Sequence, residues 1–170
     1  MCIRDRIYAG DVVALAGSGG LKVEGGTTVT AGYVGPSETD ASRNVGIFNG
    51  CLYDDPTTNK PTFQNYWPGD LNAAANAFVY DNPDDLFEVQ TTGTHTQAVV
   101  GQACDMTYLA GQAINNGRSR ESLTGTASAS GMFAVLRLSE DPSNSDVSTA
   151  NSNWIVRFND TQHVYNGIAL

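Results

Sequence analysis

Residues 77–90 constrain the fold most, because they place two short apolar runs on either side of an acidic corner. They read AFVYDNPDDLFEVQ. In the second run, phenylalanine and valine alternate with Glu88 and Gln90, which is the period of a half-buried strand. The corner, residues 81–85, holds an Asn-Pro pair followed by two aspartates, a sequence typical of the start of a helical turn. The stretch therefore predicts a strand, one turn of helix and a second strand.

The other apolar runs are also short and are separated by residues that favour turns. Residues 12–16 and 21–24 flank the turn Gly17-Ser18-Gly19-Gly20 and predict a β-hairpin. In residues 45–53, two glycines indicate close packing or a bulge in a core strand. Residues 132–138 are mostly apolar on both faces, which predicts a central strand buried on two sides. Further strands are predicted at residues 27–34, 98–100, 103–109, 119–123 and 154–159.

No stretch holds a helical apolar period over three turns, so long helices are not expected. About ten short strands predict an all-β fold, a compact barrel or sandwich with one or two short helical turns, the second of them at Asp141-Pro142. We predict one β-rich domain over residues 7–170, a length that can bury a core without disulfides or metal. Residues 1–6, MCIRDR, look like a translated sequencing adapter at the end of a metagenomic reading frame, and we expect them to be non-native.

The charge balance limits the classes of partner. The chain has 18 Asp and Glu against 9 Lys and Arg, a net charge of -9. Direct binding to nucleic acid requires a basic stripe that releases phosphate counterions, and the sequence has none. No apolar run reaches the roughly 18 to 20 residues of a membrane-spanning helix. We therefore expect neither nucleic acid nor a membrane as a direct partner.

The sequence offers little material for catalysis. A nucleophile and base arrangement would need one of the two histidines, His95 and His163. Both are interpreted as solvated turn residues or hydrogen-bonded packing residues. Cys2, Cys51 and Cys104 lack the spacing of a metal or redox motif, and we interpret the last two as buried thiols. The expectation is a protein with no catalytic residue, no cofactor and no enzyme activity.

Four carboxylates in and beside the acidic corner form the one candidate cation site. Asp81, Asp84, Asp85 and Glu88 could supply hard oxygen ligands for calcium. They lack the alternate spacing and the central glycine of an EF-hand loop. The favoured interpretation is therefore a helix start, with a bound cation as the alternative.

An aromatic cluster in residues 61–67 is the candidate interaction site. Phe63, Tyr66 and Trp67 lie within five positions of one another. Such a cluster more often covers the end of a barrel, and the alternative is a ligand platform. If it lies on the surface, these three residues are able to anchor a protein interface.

Five segments carry a resemblance to a known family. They are IYAGDVV (7–13), VGIFNGCLY (45–53), PTFQNYWP (61–68), FVYDNPDDLFEVQ (78–90) and WIVRFN (154–159). Through them the sequence resembles the auxiliary virion proteins of tailed bacteriophages, in particular structural proteins of marine phages and pelagic podoviruses that decorate or cement the capsid. The likeness covers nearly all of residues 7–170. None of its motifs is catalytic.

The resemblance implies a non-enzymatic protein on the capsid exterior, made in the host cytoplasm and bound in many copies to the major capsid protein. It also leads us to expect a homo-oligomer, with a trimer as the working assumption, and an interface that uses Phe63, Tyr66 and Trp67. The alternative is a receptor- or glycan-binding domain of a phage tail fibre or bacterial surface protein, in which the same aromatic rings stack on sugars. A hydrolase is the third and least favoured interpretation, because no nucleophile is paired with a base.

Overall fold

Two five-stranded antiparallel sheets make up the structure, a computed structural model that describes residues 7–15, 21–23, 44–67, 75–107, 117–127, 131–147 and 149–163. The all-β prediction is confirmed, and one of the sheets is curled like half a barrel. The ten strands are β1 (Val12–Leu15), β2 (Leu21–Val23), β3 (Asn44–Asp54), β4 (Pro61–Gln64), β5 (Ala75–Tyr80), β6 (Phe87–Gln90), β7 (Ala103–Thr107), β8 (Ser122–Ala127), β9 (Phe133–Leu138) and β10 (Asn153–Phe158).

Helical structure within the described ranges is limited to two short 3-10 turns, Gln97–Val99 and Asp160–Gln162. No helix in this part of the chain has the length and apolar character needed to cross a membrane. The predicted strand over residues 27–34 and the predicted adapter segment over residues 1–6 lie outside the described residues.

The chain divides into two compact units. The first comprises Met1–Asp81 and Tyr108–Arg120, and the second comprises Asn82–Thr107 and Glu121–Leu170. Strands β1 to β5 belong to the first unit and strands β6 to β10 to the second. The expectation that residues 7–170 form a single domain stays a prediction.

Strand β3 organises the sheet of the first unit. Its 11 residues pair with three other strands. On one edge, β1 pairs with residues 44–47 and β4 with residues 51–54, while β5 runs along the opposite edge over residues 47–53. The predicted hairpin is confirmed, because β2 returns beside β1 with Leu15 opposite Leu21.

The two glycines of β3 mark a close approach between strands and a bulge, the two features that the sequence indicated. A Cβ atom at Gly46 would collide with the backbone of Tyr80, so only glycine allows β5 to approach this closely. Gly50 has a φ angle of +130° and lies at a shift of register between β3 and β5. The second glycine therefore marks a bulge, which changes the strand direction between the segment paired with β1 and the segment paired with β4.

The core of the first unit lies beneath β3. Phe48, Cys51 and Tyr53 are buried there at alternate positions on either side of the bulge. Ile7, Val13 and Trp67 complete the buried cluster. The rings of Tyr53 and Trp67 meet edge to face with centroids 6.3 Å apart, a favourable aromatic geometry.

Strand β10 has the same role in the second unit, whose sheet has the order β6-β10-β9-β7-β8. Trp154, Val156 and Phe158 are fully buried on one face, as their alternation predicts. The Phe158 ring packs against Phe133 at 4.9 Å and against Phe87 at 5.4 Å between centroids. Three aromatic rings from three strands thus close this core.

Strand β9 is central, as predicted, but it is not buried on both faces. Phe133 and Val135 are buried, whereas Leu136 and Arg137 are exposed. The error arises because Leu136 and Ala134 extend the apolar run without taking part in the core. An apolar sequence on both faces does not require a second covering layer.

Both predicted helical turns form where the sequence placed them, but each is a single hydrogen-bonded turn and not a helix. At the acidic corner, a single turn is closed by the Asp85 N–H, which donates to the Asn82 carbonyl at 3.2 Å, and the chain enters β6 two residues later. Asn82 still caps as expected, since its side-chain oxygen accepts from the Asp84 N–H at 3.2 Å. At Asp141-Pro142 a similar turn forms, closed by the Asn144 N–H.

Residues 98–100, predicted as a strand, instead contribute to the 3-10 turn Gln97–Val99. The three-residue run finds no strand partner, because β9 pairs with Ala103 and Cys104. Gly101, with a φ angle of +81°, then redirects the chain into β7. The predicted edge strand at residues 119–123 is displaced toward the C-terminus and becomes β8.

We predict that Gly50→Ala lowers the free energy of unfolding by about 2 to 4 kcal/mol, from left-handed strain and overpacking together. Its new Cβ would lie 2.7 Å from the Phe63 ring and 2.8 Å from the Gln64 carbonyl oxygen. Gly101→Ala is the matched control, because φ is also positive there but nothing lies within 4 Å. It should cost about 1 kcal/mol. Urea unfolding of both variants measures the difference, and equal losses would contradict a steric role for Gly50.

Candidate functional site

The three aromatic residues predicted as interface anchors have different environments. Phe63 on β4 is 59% exposed, whereas Trp67 is only 6% exposed and belongs to the core. The backbone N–H of Trp67 donates to the Ile7 carbonyl at 2.7 Å, and the indole packs edge to face on the Tyr53 ring. Tyr66 is half-buried beside Tyr8, with ring centroids 6.2 Å apart. Phe63 is thus the member of the trio that is open to a partner, and the interface role of all three stays a prediction.

Phe63 lies instead in a second group of apolar side chains that the sequence did not bring together. Strand pairing puts Leu52 of β3 opposite Phe63 of β4. On the other edge of β3, Ile47 is opposite Tyr80 and Gly50 is opposite Phe78. Residues directly opposite each other share a face of an antiparallel sheet. We call the exposed members of this group the outer-face patch: Leu52, Phe63, Phe78 and Tyr80.

The four residues of the outer-face patch are between 38% and 59% exposed. They are carried by three adjoining strands, β4, β3 and β5, so their positions are fixed by backbone pairing. Asn76, which lies opposite Leu52, adds a neutral polar group to the same face. The patch contains no charged side chain. Contiguous exposed apolar surface of this kind is typical of sites that contact another molecule.

Gly50 explains how the patch is assembled. The Phe63 ring passes directly over it, with the ring Cζ 2.7 Å from the position where a Cβ would be. The Phe63 and Phe78 rings then meet with centroids 6.1 Å apart and planes inclined by 49°. Two aromatic side chains from strands on opposite edges of β3 can touch only because the strand between them carries no side chain at that point.

The carboxylates of the acidic corner have separate partners. Asp85 accepts a hydrogen bond from the Asn82 amide at 2.9 Å, and Asp84 lies 3.5 Å from the Arg157 guanidinium. Glu88 accepts from the Ser139 hydroxyl at 2.7 Å and from the Asn153 amide at 3.0 Å. The described ranges hold no group of three or more His, Cys, Asp or Glu side chains placed to bind a metal ion.

A buried pair, His95 and Cys104, lies in the second unit. The imidazole Nε2 and the thiol Sγ are 3.9 Å apart, and both side chains are shielded from solvent. Burial raises the pKa of the Cys104 thiol, and the neighbouring Asp105 carboxylate raises it further. Nucleophilic catalysis requires a thiolate, so the surroundings oppose activation of this pair. No sequence pattern indicated this contact, because the two residues share no motif.

Both histidines prove to be packing residues rather than solvated ones. The His95 ring lies 6.0 Å from that of Trp154, and the His163 ring lies 5.1 Å from that of Phe158. Cys51 and Cys104 are free and buried, as predicted. Burial raises the pKa of the Cys51 thiol to about 11, which makes it an inert member of the core.

Asp11 is a buried carboxyl group in the first unit. Its Oδ2 accepts from the Tyr8 N–H at 2.7 Å, and its own N–H donates to the Tyr8 carbonyl at 2.9 Å. Its carbonyl accepts from the Phe48 N–H at 3.0 Å, which fastens the N-terminal segment to β3. Burial raises the pKa of Asp11 to about 6, although hydrogen bonds from Ser119 and Tyr8 act in the opposite direction.

Comparison of the chain with protein families, with curated proteins and with solved structures finds no match.

We predict that Trp67→Ala destabilises the protein by about 3 to 5 kcal/mol, because it removes a large buried side chain and leaves a cavity. Phe63→Ala should change the free energy of unfolding by less than about 1 kcal/mol, since it deletes exposed atoms. Unfolding of both variants in denaturant is followed by far-ultraviolet circular dichroism, because this signal does not rely on tryptophan fluorescence. A similar loss for both variants would show that Phe63 is also a core residue.

The Asp11 carboxyl group predicts a pH dependence of stability. Because its pKa is higher in the folded than in the unfolded protein, the folded state binds the proton more tightly, and the stabilisation is fully present below about pH 4. It is lost as the pH rises through about 6, a change on the order of 2 to 3 kcal/mol. The difference between wild type and Asp11→Asn, measured by urea unfolding from pH 4 to pH 7, isolates this group. A difference that does not vary with pH would rule it out.

Proposed function

We propose that the chain is a non-enzymatic virion structural protein that binds the capsid exterior of a tailed phage through the outer-face patch. The observation that carries the proposal is the exposure of four apolar side chains on three paired strands. The sequence resemblance to phage decoration proteins supplies the identity of the partner, the major capsid protein. A sheet face is a rigid support, so little order has to be gained when the contact forms.

The energetics of the patch suit a protein contact. Fully burying a side chain of this size is worth about 1.5 to 3 kcal/mol, part of which offsets the lost freedom of the two partners. The patch has no charge to desolvate, and its aromatic members have few rotatable bonds. If several copies are joined in one oligomer, their separate weak contacts would add up on a repeating shell and give a higher total affinity.

Phe63 is the expected anchor of this contact. It is the most exposed aromatic member of the patch, and it has Leu52 and Phe78 as immediate neighbours. Energetically dominant interface residues are commonly aromatic side chains near the centre of a contact, surrounded by others that exclude water.

Glycan binding, the alternative from the sequence, requires an aromatic surface on which a sugar ring can lie flat. The Phe63 and Phe78 rings are inclined by 49° to each other, so the two together do not form one flat platform. This geometry supports the choice of a protein partner over a sugar.

We expect Phe63→Ser to abolish cosedimentation of the protein with heads assembled from the major capsid protein of the same phage. Leu86→Ser is the matched control, because Leu86 is also 59% exposed but lies outside the patch. It should bind heads like the wild type, and both variants should keep the wild-type melting temperature. Failure of the wild type to bind heads, together with binding on a glycan array, would transfer the assignment to the alternative.

A further inference from the structure

Strand β5 is an open edge of the first sheet. In the described part of the chain it pairs with β3 and with no other strand. Ala77 is exposed even though it is opposite Cys51, which is buried. Asn76, Phe78 and Tyr80 are exposed on the other face. One face of the strand is thus open, while Ala75 and Val79 on the other face pack against the core. The outer backbone groups of β5 pair with no strand in the described ranges, so they are available to a partner strand.

The other edge strands carry features that discourage pairing. Strand β2 has three residues and contains Lys22, β4 has four and begins with Pro61, and β6 has four and contains Glu88. Strand β8 is bridged by Thr91 at Leu123. Proteins protect edges by shortness, proline, charge or cover. Strand β5, with six residues reading ANAFVY, has none of these protections.

We propose that β5 pairs with β5 of a second copy of this chain, antiparallel and about a two-fold axis through Phe78. Since such an axis keeps the outer faces on one side, Phe78 would lie opposite Phe78 of the second copy. Asn76 would lie opposite Tyr80, and Ala77 opposite Val79. The first-unit sheet of each copy has five strands, so the two copies together would form one sheet of ten strands.

A second copy fits this edge better than an unrelated strand for two reasons. The strand is complementary to itself, because the two-fold pairing matches an aromatic ring with an aromatic ring and small residues with larger ones. The chain has a net charge of -9, which opposes self-association, yet β5 contains no charge and so brings none into contact.

The pairing also extends the outer-face patch. Phe78 belongs to the patch, so joining two copies at Phe78 would merge two patches into one band that runs across both copies. The arrangement closes at two copies, because each copy offers one such edge among its described strands. It differs in this from the trimer taken above as the working assumption. The proposal does not rest on capsid binding and can fail independently of it.

The first test is the association constant of the full chain, measured by sedimentation equilibrium. Wild type should form a dimer that strengthens with added salt, because salt screens the repulsion between two acidic chains. Phe78→Lys should weaken dimerisation on the order of tenfold or more, because two lysines then lie opposite each other. Phe63→Lys is the matched control: it adds the same charge to the same patch away from the edge, and it should leave most of the association intact.

A mixture of Phe78→Lys and Phe78→Glu provides the rescue, since opposite charges across the two-fold axis should restore a heterodimer. In a Cys2→Ser background, Phe78→Cys should form an intermolecular disulfide under mild oxidation, and Phe63→Cys should not. A wild type that stays monomeric at every concentration would overturn the proposal, as would a Phe78→Lys variant that dimerises normally. The proposal would also be overturned if Phe63→Lys weakened dimerisation as much as Phe78→Lys, or if mixing Phe78→Lys with Phe78→Glu formed no heterodimer. Either result would assign association to the face of the sheet and not to its edge.

Discussion

The first unit depends on a single strand having three partners. Strand β3 pairs with β1 and β4 in succession on one edge and with β5 on the other. One strand can serve both β1 and β4 because the bulge at Gly50 separates the two segments and turns one relative to the other. A side chain there would be strained by the φ angle of +130° and would also displace the Phe63 ring. The topology and the exposed surface therefore have the same physical origin.

The contrast between the two units shows why the outer-face patch is significant. In the second unit, the rings of Phe87, Phe133 and Phe158 pack on one another in the interior. In the first, Phe63 and Phe78 make a similar ring contact on the outside of the sheet. Apolar area left in water has a free-energy cost relative to burial. The exposed aromatic cluster would therefore gain free energy if a partner covered it, whereas the buried cluster has already gained it on folding.

The sequence predicted local features well and their assembly poorly. Alternation identified the buried face of β10, and glycine content identified the bulge in β3, because both are properties of a few consecutive residues. Which strands meet is decided by pairing over long separations, so the outer-face patch had no signature in the sequence. Trp67 and Phe63 differ in environment for the same reason: they are close along the chain, but the strand ends between them and the indole turns inward.

Charge determines how the apolar surface is able to act. A net charge of -9 spread over a weakly charged chain repels other copies at a distance, while β5 and the outer-face patch contain no charge of their own. Electrostatics would therefore govern the rate of approach, and apolar contact and backbone pairing would govern how long partners stay together. Weak contacts of this kind favour a partner that presents many identical sites in a fixed array. When two or more copies are joined, a copy that dissociates is held near its site by the copies that remain bound.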